Sequence, residues 1–150
     1  MSAFYAAERK KGALEMKVFR FGGAPPRVRE SILSVDAEYD VIEVLEKSEY
    51  EFGNEAAQRY RTLLETSYRY VARNPNGIGT KPEPKCGVEV RSLHLRTVRD
   101  GVRPPNLRVK NPRHYLLYRP EPLRVLIGRV LHDRAVAELH ITENTWRVAN

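Results

Sequence analysis

Hydrophobic and polar positions follow two different periods along the chain, and the clearest pair of apolar runs lies between residues 113 and 134. The first run, His114 to Tyr118, is rich in aromatic and branched residues, and the second, Leu123 to Leu131, is long enough for a complete strand. The connection Arg119–Pro120–Glu121–Pro122 is short and contains turn residues, so the two runs predict an antiparallel hairpin. Because both runs are almost continuously apolar, we expect them in the centre of a small sheet.

Upstream of this hairpin, the apolar segment Arg29 to Val35 predicts a first strand, and two helical patterns follow it. In the first helix, one face collects residues at helical spacing: Ala37, Val41, Val44, Leu45, Ser48 and Phe52. Gly53 is predicted to end this helix, and Asn54 to cap a second helix from about Glu55 to Arg73. Because one or two residues separate them, the two helices are predicted to form an antiparallel hairpin.

The turn Asn74 to Gly77 ends the helical unit, and Gly87 to Leu95 predicts a third strand with apolar residues alternating at its start. The segment between Arg96 and Pro112 is irregular and basic, which is typical either of a functional or mobile loop or of a solvated insertion. After the strand hairpin, Ala135 to His140 predicts one or two helical turns, and Trp146 is a candidate docking anchor in the last residues.

The predicted order is therefore strand, helix, helix, strand, strand, strand. A helical hairpin packed on a small, mostly antiparallel sheet is an α+β fold of two layers. We divide the chain into an N-terminal extension (1–28), a domain (29–141) and a C-terminal tail (142–150). Within the extension, Ser2 to Glu15 is a candidate short helix and Lys17 to Phe21 a candidate strand.

Composition and charge restrict the class of protein. The 150 residues include 41% hydrophobic residues, which indicates a folded chain, and 26 basic against 19 acidic residues give a net charge of +7. Such an excess favours an acidic partner, either nucleic acid or an acidic protein surface, although it is also compatible with a merely soluble basic surface. Cys86 is the only cysteine, so an internal disulfide is excluded. Together with the lack of a membrane span or signal-peptide core, this predicts a cytoplasmic protein.

Most catalytic signatures are absent from the sequence. It has no metal-binding cysteine or histidine spacing, no glycine-rich phosphate loop and no serine elbow, so we expect neither a metal nor a cofactor. The exception is His132, which is followed by Asp133 and Arg134. In such a tripeptide an aspartate can orient the imidazole, and an arginine can bind phosphate.

Several segments in this order resemble the ParE branch of the RelE/ParE toxin superfamily. They are SVDAEYDVIEVLEKSEYEFGNEAAQRYRTLLE, NPNGIG, GVEVRSL, HYLLYR and VLIGRVLHDR, which lie between about Ile32 and Arg134. The 28 residues at the N-terminus and the insertion from Arg96 to Pro112 depart from the family pattern. The resemblance implies a toxin of a type II toxin–antitoxin module that inhibits DNA gyrase by binding. It also implies neutralisation by a small, acidic, ParD-like antitoxin, which alone contacts operator DNA.

The family resemblance and the positions of several arginines in the sequence together suggest candidate site residues. The target-binding surface is predicted to be a basic edge, extended by the 96–112 loop, that consists of Arg91, Arg119, Arg129, His132 and Arg134. An amphipathic segment of the antitoxin is predicted to lie against the helical hairpin or the sheet edge. The candidate contacts there, which are equally compatible with a place in the core, are Val41, Leu45, Tyr60 and Leu64.

Two alternatives remain open from the sequence. The first is a ribosome-dependent mRNA interferase, in which His132, Arg134 and Arg91 would be the catalytic residues. The second is a degenerate module whose toxin is inactive and serves only in repression with its antitoxin.

Overall fold

The computed structural model describes residues 29–149, so the elements predicted within residues 1–28 lie outside the described part of the chain. Two long helices are present, α1 (Val35–Phe52) and α2 (Asn54–Arg73). The strands are β1 (Glu30–Leu33), β2 (Thr80–Pro82), β3 (Arg91–His94), β4 (His114–Pro120) and β5 (Arg124–His132). Short 3₁₀ turns fill several connections, including the predicted turn near the C-terminus at Ala137–His140.

The five strands form one sheet in the order β1-β5-β4-β3-β2. β1 pairs with β5 in parallel, and the other three pairings are antiparallel. The predicted α+β class and the mostly antiparallel sheet are therefore confirmed. Two details differ from the prediction: β2 was not anticipated, and β3 begins at Arg91 instead of Gly87. The chain turns before β3, where Glu89 adopts a φ of 61°.

Both helix boundaries have a local cause. The Ser34 hydroxyl accepts a hydrogen bond from the Ala37 N–H at 3.0 Å, which caps the first turn of α1. Gly53 separates the helices with a φ of 93°, a conformation that disfavours any residue with a side chain. The helical hairpin therefore forms where the sequence predicts it.

The main core lies between the helices and one face of the sheet. Its most buried side chains include Leu63 and Tyr68 from α2, Leu116 from β4 and Ile127 from β5. The insertion also contributes to this core, because Val98 and Val102 are buried in it. The insertion is therefore packed against the domain.

The opposite face of the sheet is covered by the segment before β3 and by the C-terminal residues. Leu117 and Leu131 pack there with Cys86 and Trp146, and the Trp146 ring lies against Gly128. Burial raises the pKa of the Cys86 thiol, which keeps it protonated and unreactive.

The C-terminal residues up to 149 are hydrogen-bonded to the start of α1. The Thr142 hydroxyl donates a hydrogen bond to Asp36 at 2.6 Å, and the Val35 N–H donates to the Arg147 carbonyl at 2.8 Å. The C-terminal segment thus supplies partners for the first turn of α1, whose N–H groups have none within the helix.

Candidate target-binding site

The five residues of the predicted basic edge do not lie on one edge. Arg91 is in register with Tyr118, beside Arg119, whereas His132 is in register with His114. These positions mark opposite ends of β4, a strand of seven residues that spans about 20 Å. The predicted edge is therefore divided between the two ends of the sheet.

Arg129 has a structural role instead of a place on an exposed surface. Its guanidinium donates two hydrogen bonds to the Asp40 carboxylate, each of 2.8 Å. These hydrogen bonds are the main reason why the pKa of Arg129 is raised. The Asp40 charge adds to this effect, and burial opposes it. Asp40 is buried and also accepts the backbone N–H of Val130 at 2.9 Å. Asp40 thus closes the edge of β5 beyond the end of β1, and Arg129 is needed to balance its charge.

At the Arg91 end, the arginines are largely occupied by neighbours. Arg119 and Arg124 both donate to the Glu121 carboxylate, at 2.9 Å and 2.6 Å. Arg119 also lies over the Trp146 ring, 4.9 Å from its centroid. Arg91 donates to the Thr80 hydroxyl at 2.9 Å and lines an open groove of about 590 Å³.

The opposite end of the sheet gathers three histidines where β3 ends, β4 begins and β5 ends. We call His94, His114, His132, Arg113 and Asp133 the histidine cluster. Asp133 accepts hydrogen bonds from His94 Nε2 and from Arg113 Nη2, each at 3.2 Å. The His114 and His132 rings meet edge to face, with centroids 5.4 Å apart. Of these five residues, only His132 belongs to the predicted target-binding edge.

Backbone contacts assign the tautomers of two of these histidines. The Nδ1 atoms of His94 and His132 accept the N–H groups of Arg96 and Arg134, at 3.1 Å and 3.2 Å. In its neutral form, each of these two rings therefore has its proton on Nε2. The Tyr60 hydroxyl accepts the Arg113 N–H at 3.1 Å and forms a hydrogen bond with His114 Nδ1 at 2.6 Å.

The environment lowers the pKa of two of these imidazoles, His94 and His114. Burial lowers the pKa of His114 to about 4, helped by the neighbouring His132. Burial also lowers the pKa of His94, although its hydrogen bond to Asp133 opposes the shift. Desolvation raises the pKa of Asp133, but the hydrogen bonds from His94 and Arg113 outweigh this effect, and the net pKa is lowered. The cluster therefore contains one carboxylate, one guanidinium and three imidazoles, of which two have clearly lowered basicity.

Exposed cations surround this end. Arg96 and Arg134 follow the cluster residues His94 and His132 by two positions each, and both side chains are exposed. Within residues 29–149, no carboxylate lies within ion-pair distance of either. Within the described residues, the ends of β3 and β5 thus place two exposed arginines without an acidic partner at the same end of the sheet as Arg113.

The predicted antitoxin contacts lie inside the protein. Val41, Leu45, Tyr60 and Leu64 all belong to the main core, so they offer no surface to a partner in this conformation. They were selected from the apolar face of each helix, and this is the face that packs on the sheet.

The outward side of α1 exposes a different set of large side chains. Tyr39, Ile42 and Tyr50 are 67%, 51% and 92% exposed. Glu43 and Glu46 are exposed between them. We call these five residues the α1 outer face; it is apolar and acidic, in a chain whose net charge is positive.

Comparisons with known proteins agree with this architecture. No family model and no curated protein matches the chain. A chain of a solved structure, described as the chromosomal ParDE TA system from P. aeruginosa, is similar to it with a TM-score of 0.52 and 14% identity. The similarity covers 70% of this chain and 96% of that one. At the level of the fold, the resemblance to ParE-like proteins is confirmed.

Residues 29–149 show neither a metal-binding group of side chains nor a membrane-spanning helix. These residues contain no group of three or more histidine, cysteine or acidic side chains arranged to hold a metal ion. No helix in the same range is long and apolar enough to cross a membrane.

Proposed function

We propose that this protein is the toxin of a type II toxin–antitoxin module and that it inhibits DNA gyrase by binding in the cytoplasm. The shared fold with a chain of a ParDE system supports the module, because that system is a toxin–antitoxin pair by its description. The fold alone does not separate a binding toxin from a nuclease. That separation rests on the chemistry of the histidine cluster.

The observation that favours binding over turnover is the set of contacts made by the Nδ1 atoms of the three histidines. A general base for RNA cleavage needs a free imidazole nitrogen within reach of the 2′-hydroxyl. In His94 and His132, Nδ1 already accepts a backbone N–H, and in His114 it is engaged by Tyr60. In their neutral forms, His94 and His132 carry the proton on Nε2, and that of His94 is bonded to Asp133, so His132 is left as a hydrogen-bond donor.

The positions of the predicted nuclease residues also argue against an interferase. The groups that cleave RNA must surround the same phosphate to stabilise the charge that develops in the transition state. Arg91 lies at the far end of β4 from His132 and Arg134. The three residues of the nuclease alternative therefore do not converge on one phosphate.

The target-binding surface that we propose is the end of the sheet at the histidine cluster. It retains His132 and Arg134 from the predicted edge and adds Arg113 and Arg96. Two exposed guanidinium groups and the exposed His132 ring suit an acidic or nucleoprotein target.

The antitoxin is proposed to cover the α1 outer face. Three large apolar side chains on one side of a helix are the pattern that an amphipathic segment recognises. Because Glu43 and Glu46 lie among them, the covering segment should be apolar and basic, while acidic parts of the antitoxin would contact the basic ends of the sheet.

The function is tested by adding the purified full chain to gyrase in a supercoiling assay and, in parallel, to a translating ribosome system with a defined mRNA. We expect loss of supercoiling, trapped cleaved DNA and intact RNA. Cleaved RNA with normal supercoiling would establish the interferase instead. No effect in either assay, with no growth arrest on expression, would identify an inactive module.

A further inference from the structure

The charges around the histidine cluster are unevenly balanced. Asp133 accepts hydrogen bonds from His94 and Arg113, while Arg96 and Arg134 follow the cluster residues His94 and His132 in the chain. Lys47 of α1 lies close enough to influence His114, but it is paired with Glu51 at 4.0 Å. After Asp133 is counted against Arg113, the guanidinium groups of Arg96 and Arg134 remain uncompensated.

The arrangement is held by the backbone, which makes it a prepared site. The N–H groups of Arg96 and Arg134 are each bound to a histidine of the cluster, and the Asp133 N–H donates to the Arg113 carbonyl at 2.8 Å. This Asp133–Arg113 contact and the hydrogen bond between His94 and Asp133 tie together three segments that are distant in sequence, at one end of the sheet. The backbones that carry the three arginines are therefore fixed relative to one another, so less freedom is lost when their side chains bind an anion.

The donors at this end suit phosphate groups better than bases. Guanidinium groups bind phosphate oxygens in a bidentate manner, and the exposed His132 ring adds an Nε2–H donor. Reading of single-stranded nucleic acid requires exposed aromatic rings for stacking, but Tyr60 is buried here and the Tyr115 hydroxyl is bonded to the Ala135 carbonyl. Contacts of this kind position a protein on a duplex without reading its sequence.

We infer that the end of the sheet at Arg96, Arg113 and Arg134 binds the phosphodiester backbone of duplex DNA directly. This inference rests on the proposed function, because it makes the DNA held by gyrase part of the toxin's target. It differs from the expectation that DNA is contacted only through an antitoxin. The binding is independent of base sequence and is driven by the release of counterions.

The test uses the full chain alone, with fluorescence anisotropy of a short labelled DNA duplex over a range of salt concentrations. Three phosphate contacts predict a slope of log K against log salt of about −3. In R96Q/R134Q we expect a slope of about −1 and binding at least about tenfold weaker at low salt. Within residues 29–149, neither the Arg96 nor the Arg134 side chain forms a hydrogen bond or ion pair, so the fold is expected to be unchanged.

The matched control is R73Q/K81Q, which removes the same charge. Arg73 ends α2, and Lys81 lies in β2, in register with Ser92. Arg73 lies near the far end of the sheet, where the Tyr118 hydroxyl reaches Pro75, and Lys81 lies on an edge strand two strands away from β4, so we expect the wild-type slope. Equal losses in the two double variants would overturn the inference, because they would report net charge alone.

Three other results would also overturn it. One is the absence of duplex binding at low salt, a second is tighter binding of single-stranded RNA than of duplex DNA, and a third is an unchanged slope in R96Q/R134Q. Because gyrase is absent from this assay, these results leave the proposed function standing if supercoiling is still inhibited. Conversely, DNA binding without gyrase inhibition would support the site and reject the proposed function.

Discussion

Asp40 and Arg129 lie 89 residues apart in sequence and form a two-point ion pair, with both N···O distances at 2.8 Å. The pair joins α1 to β5 just beyond the end of β1. From that point on, one edge of β5 has no neighbouring strand. Asp40 replaces that neighbour by accepting the Val130 N–H. An arginine that suggests target binding in the sequence thus fixes a helix to a strand.

We predict that Arg129→Ala destabilises the fold by about 3 kcal/mol, because it leaves the Asp40 carboxylate buried without a counter-charge. The measurement is urea unfolding at pH 7, monitored by circular dichroism. The paired variant D40L/R129M removes both charges and should recover part of the loss. Wild-type stability in Arg129→Ala would show that the ion pair is not structural.

Stability should also fall as the pH decreases from about 6.5 to about 4. The pKa of His114 is about 4 in the folded protein and about 6.5 when the ring is exposed, so the unfolded chain binds a proton that the folded chain does not. The stabilisation is complete above pH 6.5 and is lost toward pH 4, by about 2 kcal/mol after allowance for solvent screening. His94, whose pKa is also lowered, acts in the same direction.

The variant His114→Gln isolates this effect. Its amide oxygen can still accept the Tyr60 hydroxyl, but the side chain does not titrate. The unfolding free energy of the variant, followed from pH 7 to pH 4.5, should have a visibly smaller slope than that of the wild type. If the unfolding free energies of the variant and the wild type change with pH in parallel, a group other than His114 is responsible for the pH dependence.

Gly128 is required by the close approach of Trp146. A Cβ atom at this position would lie under 3.0 Å from three atoms of the indole ring. Gly128→Ala should therefore displace the ring and cost about 2 kcal/mol. The chain has a single tryptophan, so its fluorescence emission should shift to longer wavelength as the ring becomes exposed. A second change, Trp146→Leu, should relieve the strain of Gly128→Ala; the absence of any relief would contradict this explanation.

The α1 outer face should matter for neutralisation and not for folding. In Y39S/I42S, two side chains that are more than half exposed are replaced, so thermal unfolding should change little. Toxicity should persist when this variant is co-expressed with the cognate antitoxin that neutralises the wild type. The control Leu139→Ser removes an apolar side chain that is 77% exposed elsewhere, and it should remain neutralised. If the antitoxin neutralises Y39S/I42S as well as the wild type, the proposed contact between the antitoxin and the α1 outer face is wrong.

The sequence predicts the elements of this fold well, because each helix and each long strand has its own local signal. Ser34 and Gly53 mark the limits of α1, and the two apolar runs mark β4 and β5. β2 has only three residues, one of them proline, so no periodic pattern reveals it. The parallel pairing of β1 with β5 depends on contacts across most of the chain and has no local signal.

The site is less predictable than the fold for the same reason. His94 and Asp133 are 39 residues apart, and Arg113 lies 20 residues from Asp133, so no motif contains the histidine cluster. His132 was found because its neighbours Asp133 and Arg134 are adjacent in sequence. Val41 and Tyr60 were assigned to a partner although their helical spacing was equally consistent with the core, where they lie.

The most direct test of the account is a titration of gyrase supercoiling with the full chain at several fixed enzyme concentrations. A toxin that acts by binding predicts inhibition that depends on the ratio of toxin to gyrase and saturates near equimolar amounts. The same titration with R96Q/R134Q should require more protein, and R73Q/K81Q should match the wild type. Inhibition that grows with time at far less than equimolar toxin would show turnover and contradict the central claim.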